Sequence, residues 1–358
     1  MSKVFLSPGR YVQGPGELVR LGEYVRSLGD DAVVIISAGG RRRFGETVEG
    51  SLAAAGISSE TVEFNGECSR AEIDRLVALV QKRGSQVVIG VGGGKIFDTA
   101  KETADAAGLP VVIVPTIAAT DAPCSSCSVI YTEEGAYSAV VYQRRSPALV
   151  LVDSDVVSRS PMRLTVSGMG DALATFFEAR AVRQSNALTP ARGKITGAAY
   201  ALATYCYQTL LADGVRAKRA LEVGARTEAV ERIIEANTLA SGLGFESGGL
   251  AAAHAVHNGL TVLPETHGMY HGEKVAFGTI VQLVLEDAPE LDEVIAFCKA
   301  VGLPTTFARL GIEDASYERI LAAARVACDP ADTMANMPVD CSPELVAQAM
   351  IVADALGR

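Results

Sequence analysis

Val87-Val88-Ile89-Gly90-Val91-Gly92-Gly93-Gly94-Lys95-Ile96-Phe97-Asp98 passes from a β-branched run through a glycine turn into a stretch with helical spacing. A short apolar run followed at once by glycines and a helix is the strand–turn–helix step of a βαβ unit. Glycines at such a turn let the backbone approach a pyrophosphate, whose charge is held by N–H groups at the helix start. The run is not G-x-G-x-x-G, because position 95 is lysine. Nor is it a Walker A loop, because Ile96 stands where Ser or Thr is needed. A glycine turn of this kind is structural about as often as it is ligand-binding, but three adjacent glycines exceed what a turn requires.

Outward from this step the same alternation continues. Val33-Val34-Ile35-Ile36, Thr61 to Phe64 and Val111-Val112-Ile113-Val114 read as strands, and 73–83 and 97–107 as crossover helices, with Leu76, Val77 and Val80 or Ala100 and Ala104 at helical spacing. Ser128 to Tyr131 and Ser138 to Tyr142, around Thr132-Glu133-Glu134-Gly135, resemble a hairpin, and Ala148 to Val152 closes the region as a last strand. The expected fold class is therefore an α/β dinucleotide-binding domain with a parallel sheet over 1–157, followed by a helical domain over 158–358. In that second half, Ala- and Leu-rich stretches with a 3.6-residue period predict helices over 171–184, 187–213, 214–242, 248–259, 272–286, 290–301, 316–328 and 343–356. Arg41-Arg42-Arg43 after the second strand reads as a solvated basic loop.

The 358 residues suffice for two domains, and 49% hydrophobic residues suffice for their cores. A net charge of −10 without a charged tail disfavours a nucleic-acid partner. Seven cysteines, an odd number scattered from Cys68 to Cys341, do not form a disulfide framework and suit a reducing cytoplasm. The start of the chain lacks a signal-peptide pattern, and no apolar run approaches membrane-spanning length. A soluble cytoplasmic protein is the expectation.

All four histidines, His254, His257, His267 and His271, fall in one window. His254 and His257 stand at i, i+3 and His267 and His271 at i, i+4, so either pair is spaced to converge on an ion. A lone histidine near an apolar helix is more often a core or cap residue, but clustering reverses that preference. A carboxylate from elsewhere would complete a three-ligand site. Asp171, in Gly168-Met169-Gly170-Asp171-Ala172-Leu173-Ala174-Thr175, is the best candidate, although by spacing alone it reads as a helix N-cap. The segment Pro115-Thr116-Ile117-Ala118-Ala119-Thr120-Asp121-Ala122-Pro123 follows a strand where open α/β sheets place ligands. Its Asp121 either accepts hydrogen bonds from a hydroxylated substrate or caps a turn. Cys124-Ser125-Ser126-Cys127 is a C-x-x-C without a second half-site or a following helix. It reads as small residues lining a groove rather than a redox or zinc pair.

Together these motifs, with Arg10 to Gly16, Gly244 to Gly259 and His271 to Gly278, resemble the glycerol dehydrogenase branch of the iron-containing alcohol dehydrogenase superfamily over nearly the whole chain. The resemblance implies NAD-linked oxidation of glycerol or another small polyol to the hydroxyketone, in a cleft between the two domains of a homo-oligomer, an octamer among the options. It implies Asp171, His254 and His271 as metal ligands and Asp121 as the polyol contact, these four forming the catalytic and substrate-binding set. Gly92, Gly93, Gly94, Lys95, Ile96, Thr116, Ile117, Ala118 and Ala119 would hold the phosphates and adenosine, with Asp98 beside them. Ser125, Cys127 and Tyr131 would line the nicotinamide side, and His257 would relay a proton. Iron-dependent relatives carry a histidine where this chain has Thr175, which favours Zn2+. Family members usually end the second strand with an aspartate for the adenosine ribose, and Ser37 stands there instead. That removes a repulsion against a 2′-phosphate and opens the choice between NAD and NADP. The rival readings are glycerol-1-phosphate dehydrogenase, a 3-dehydroquinate synthase-type lyase, and a non-catalytic sensor. The first two need a cationic phosphate pocket that the histidine block lacks.

Overall fold

The β-branched runs form a parallel sheet because alternating helices cover both of its faces, which makes each strand apolar on both sides. The computed structural model describes residues 1–133, 135 and 137–358. It divides into two compact units, one comprising Leu6–Ala118 and Ala122–Ser160, the other Met1–Phe5, Ala119–Asp121 and Pro161–Arg358.

In the first unit the strands are β1 (Tyr11–Gly14), β2 (Asp31–Ile36), β3 (Ser58–Glu63), β4 (Val87–Gly92), β5 (Val111–Pro115), β6 (Cys127–Tyr131), β7 (Tyr137–Tyr142) and β8 (Leu149–Asp153). Six of them make one sheet in the order β1-β8-β5-β4-β2-β3, with every pairing parallel, while β6 and β7 pair antiparallel as a separate hairpin. Glu134 of the expected hairpin turn lies outside the described residues. The α-helices of this unit among the described residues are α1 (Leu21–Val25), α2 (Ala38–Ala54), α3 (Arg70–Arg83), α4 (Gly94–Ala107) and α5 (Ser154–Ser158). The chain order reverses between β2 and β4, so the loops that follow their carboxyl ends flank a topological switch point. Buried Val34, Ile36, Ile89, Val91, Val112 and Leu151 form the core of this sheet.

Two features of this unit differ from the expectation. Arg41, Arg42 and Arg43 do not lie in a loop but on α2. The Ser37 side chain caps that helix by accepting the Gly40 N–H, and Phe44, Val48 and Leu52 recur every four residues to pack into the core. β1, which pairs with β8, carries no β-branched run and was not visible as a strand.

The second unit contains α6 (Met162–Ser185), α7 (Gly197–Glu222), α8 (Glu228–Glu235), α9 (Ser241–Gly248), α10 (Ala252–Leu260), α11 (His271–Leu285), α12 (Leu291–Val301), α13 (Tyr317–Ala327) and α14 (Pro343–Gly357). A π-helical turn, Ala236–Ala240, joins α8 to α9. No helix among the described residues is long and apolar enough to cross a membrane. The expected helix over 187–213 begins later. Asn186 ends α6 in the left-handed conformation, Pro190 interrupts the stretch that follows, and Thr196 caps α7 through the Ala199 N–H. Gly214 is no break, since α7 runs through it.

Asp171 also differs from its N-cap reading, because it stands well inside α6 and is fully buried. The glycines around it are packing residues. A Cβ on Gly170 would lie 2.3 Å from the Gly272 carbonyl oxygen, and one on Gly272 would lie 1.8 Å from the Ser167 carbonyl oxygen. α6 and α11 thus cross backbone to backbone, one residue away from Asp171 and from His271. Gly272→Ala is expected to cost about 3 kcal/mol by overpacking. For a unit of this size that lowers the thermal midpoint by roughly 6 to 12 °C. Calorimetry reads it, and an unchanged midpoint contradicts the close crossing.

Candidate active site

Four side chains from separate segments meet in the helical unit. Asp171 comes from α6, His254 from α10, His271 is the first residue of α11, and Asp121 lies in the short segment Ala119–Asp121. One atom each from Asp171, His254 and His271 lies within 4.8 Å of the others, a grouping fit for a metal ion. Asp171 Oδ1 is 3.5 Å from His254 Nε2 and 3.1 Å from His271 Nε2, yet it is buried and has no hydrogen-bond partner among the described residues. Asp171 Oδ2 accepts the Asp121 backbone N–H at 3.2 Å.

The protonation pattern of the two imidazoles follows from their outer neighbours. Glu178, fully buried, accepts from the backbone N–H groups of Ala251 and His254 through Oε1, and its Oε2 lies 2.7 Å from His254 Nδ1. A carboxylate only accepts, so in the neutral ring Nδ1 carries the proton and Nε2 presents a lone pair. On the other side, the Asn258 amide nitrogen donates to Asp332 at 2.9 Å, which turns its oxygen toward His257 Nδ1 at 3.0 Å. His257 Nδ1 therefore carries its proton, and its Nε2 accepts from His271 Nδ1 at 3.0 Å. His271 Nε2 is then a lone pair too. Two nitrogen lone pairs and a carboxylate oxygen facing one another repel unless positive charge stands among them, and carboxylate and amide partners behind metal-binding histidines serve this purpose. Burial opposes a charge on the His254 imidazole, but Glu178 and Asp171 raise it well above its usual range. Burial opposes the Asp171 charge in turn, yet His271 and His254 hold that carboxyl below its ordinary value. The donor set, one carboxylate and two imidazoles, fits zinc or a similar divalent ion.

Asp121 is almost fully buried, and its carboxyl is pushed well above the usual range by burial and by the neighbouring Asp171 charge, which a hydrogen bond from Ser241 partly offsets. Of the remaining histidines, His257 joins the site behind His271. His267 does not: it is exposed and bonds the Thr261 carbonyl.

In the sheet unit, Ser37 follows β2, the turn of Gly92, Gly93, Gly94, Lys95 and Ile96 joins β4 to α4, and Thr116, Ile117 and Ala118 follow β5, so all three segments leave the carboxyl ends of neighbouring strands. Thr116 bonds back to the Gly92 carbonyl through its amide and hydroxyl, which ties the two loops together. Ala119 groups with the helical unit. The Lys95 ammonium pairs with Glu67 at 2.6 Å and lies over the Tyr131 ring. The Asp98 carboxylate is spent inside the unit, pairing with buried Lys101 at 3.1 Å and accepting the Val129 N–H at 2.9 Å. Lys101 in turn donates to the carbonyls of Ala122 and Cys127, which fixes the segment carrying Ser125 and Cys127.

Glu178, Ser241 and Asn258 went unread in the sequence. Glu178 had a signal, since it lies seven residues after Asp171 on the same helical face. Ser241 had none.

The family described as iron-containing alcohol dehydrogenase matches residues 8–154. The chain is 50% identical to a glycerol dehydrogenase of Pseudomonas putida, covering 100% of this chain and 99% of that one. It is 46% identical to a glycolaldehyde reductase of Halobacterium salinarum, covering 100% and 99%. The crystal structure of a probable glycerol dehydrogenase from Sinorhizobium meliloti superposes with a TM-score of 0.94 at 43% identity, covering 99% of each chain.

Glu178→Gln is expected to keep the fold and to weaken zinc binding about 10- to 100-fold, because the amide no longer fixes the charge and tautomer of His254. Zinc titration against a competing chelator measures this, and wild-type affinity in the variant would remove Glu178 from the account.

Proposed function

Because this chain belongs to the iron-containing alcohol dehydrogenase family, we propose that it is a zinc-dependent, NAD-linked enzyme that oxidises glycerol and related small diols to hydroxyketones. The observation that carries this reading is the convergence of Asp171 Oδ1, His254 Nε2 and His271 Nε2 beside a second carboxylate, Asp121, whose Oδ1 receives no hydrogen bond from the described residues. The full-length identity to glycerol dehydrogenases supports it.

Asp171, His254 and His271 would hold a divalent cation, which would supply the charge that makes an alcohol acidic, and the loops after β2, β4 and β5 would hold NAD, which would supply the hydride acceptor. The protein's own residues do the rest. Glu178 and His257 fix the two imidazoles in the tautomer that leaves Nε2 available. Asp121 Oδ1 accepts a hydrogen bond from the hydroxyl adjacent to the carbon being oxidised, which aligns a diol and leaves a simple alcohol unheld. Burial of Asp171 and Asp121 keeps the surroundings poor in water, so each of these contacts counts for more. His257 accepts from His271 and donates to Asn258, so its job is to orient rather than to relay.

The absence of arginine or lysine among the described hydrogen-bond and ion-pair partners of Asp121, Asp171, His254 and His271 disfavours the phosphorylated substrates of the two rival enzyme readings. Ser37 caps α2 where family members usually carry a ribose-binding aspartate, and the ratio of the rates with NAD and NADP measures what that exchange does. Thr175 bonds Ser241 instead of reaching the ligand set, which favours zinc over iron. A homo-oligomer, with the octamer as one option, is part of the proposal and is read by light scattering.

Enzyme stripped of metal should form no NADH from glycerol, zinc should restore the rate more fully than iron, and NADP should support a lower rate than NAD. Asp171→Ala should bind no zinc and lose activity by at least about 1000-fold, as for removal of a charge-stabilising catalytic centre. Full activity of that variant without bound metal, or restoration by iron alone, contradicts the proposal.

A further inference from the structure

Asp121 is held by more than its place in the chain. Its backbone N–H donates to Asp171 Oδ2 at 3.2 Å, and its Oδ2 accepts the Ser241 hydroxyl at 2.7 Å. The Ser241 oxygen lies 2.8 Å from the Thr175 hydroxyl. The Ser241 hydroxyl has one hydrogen and gives it to Asp121 Oδ2, so the bond between the two hydroxyls runs from Thr175 to Ser241. Thr175 and Ser241 are fully buried. A threonine inside a helix more commonly spends its hydroxyl on the carbonyl four residues back, whereas here it crosses to another helix. Thr175 stands four residues after Asp171 on α6 and shares its face. Ser241 follows directly on the π-helical turn Ala236–Ala240, whose extra residue rotates everything after it, and such turns concentrate at functional sites.

We propose that Ser241, oriented by Thr175, is the positioning residue that sets selectivity for vicinal diols. By occupying Oδ2 it fixes the rotation of the Asp121 carboxylate, so that Oδ1 is presented to the hydroxyl next to the reacting carbon. This rests on the reading of Asp121 as the diol contact. The position that in iron-dependent relatives holds a histidine serves here, through Thr175, to orient a substrate contact. Without the Ser241 donor the buried carboxylate loses its fixed angle, and the penalty falls on substrates that use Oδ1.

The test uses zinc-loaded enzyme and compares kcat/KM for propane-1,2-diol with that for propan-1-ol, together with calorimetric binding of the diol in the presence of NAD. Ser241→Ala should lower the diol-to-alcohol ratio roughly tenfold, the scale of one lost hydrogen bond to a charged group, with the diol binding correspondingly weaker. Thr175→Val, which keeps the shape and deletes the hydroxyl, should lower the ratio less, and Thr175→Ser should hold it near wild type. A general loss of packing would depress both substrates alike and leave the ratio unmoved. Asp121→Ala separates the two layers of the claim. If Asp121→Ala erases the preference while Ser241→Ala and Thr175→Val retain it, the positioning role is overturned and the Asp121 reading stands. If Asp121→Ala also retains it, the diol contact is wrong and the positioning role falls with it. Should Ser241→Ala fail to fold, the pair Thr175→Val and Thr175→Ser decides the question.

Discussion

The backbone crossing of α6 and α11 sets the distance between Asp171 and His271, and the remaining site geometry is arranged around it. With no side chain at Gly170 or Gly272, each helix takes the other's carbonyl oxygen to a separation no Cβ tolerates. One residue beyond each glycine stands a member of the ligand set. The helices are rigid, so this contact fixes the carboxylate against the imidazole without help from a loop. His254 arrives on α10 and is aimed from behind by Glu178, which α6 also carries. One helix thus supplies Asp171, Thr175 and Glu178 on a single face, at intervals of four and three residues.

That arrangement buries two carboxylates, Asp171 and Glu178, with no exposure to solvent, and places a third, Asp121, beside them. Burying like charges together is unfavourable unless positive charge or hydrogen-bond donors compensate. Donors surround Glu178, and one donor each meets Asp171 Oδ2 and Asp121 Oδ2. Asp171 Oδ1 faces two imidazole lone pairs instead of a donor. The electrostatic demand of the fold and the chemistry of alcohol oxidation therefore point to the same atom, where a divalent cation satisfies both.

Much of this was legible in the chain because periodicity and local chemistry carried it. The strands around Val33, Val87 and Val111 announce themselves by β-branching, the glycine turn at Gly92 to Gly94 by composition, and the histidine-rich segment by the clustering of His254, His257, His267 and His271, while the choice of His254 with His271 came from the family resemblance and not from spacing. The readings that failed did so where local rules were overridden by packing. Asp171 looked like an N-cap because glycines preceded it, yet those glycines serve a helix crossing that exists only after folding. Arg41 to Arg43 looked like a loop because charge masked the four-residue spacing of Phe44, Val48 and Leu52. His267 shared the spacing of a ligand but lies on a turn that carries it away. Ser241 and Asn258 act through partners 120 and 74 residues distant, Asp121 and Asp332, and no sequence window spans such pairs.

The measurement that bears most directly on the central claim is X-ray absorption at the zinc edge on protein loaded with one equivalent of zinc. The account predicts a shell of nitrogen and oxygen neighbours only, at about 2.0 to 2.2 Å, with the multiple-scattering signature of two imidazoles. A shell containing sulfur at about 2.3 Å would move the metal to the cysteines. A fully hydrated ion without imidazole scattering would mean that Asp171, His254 and His271 do not bind it.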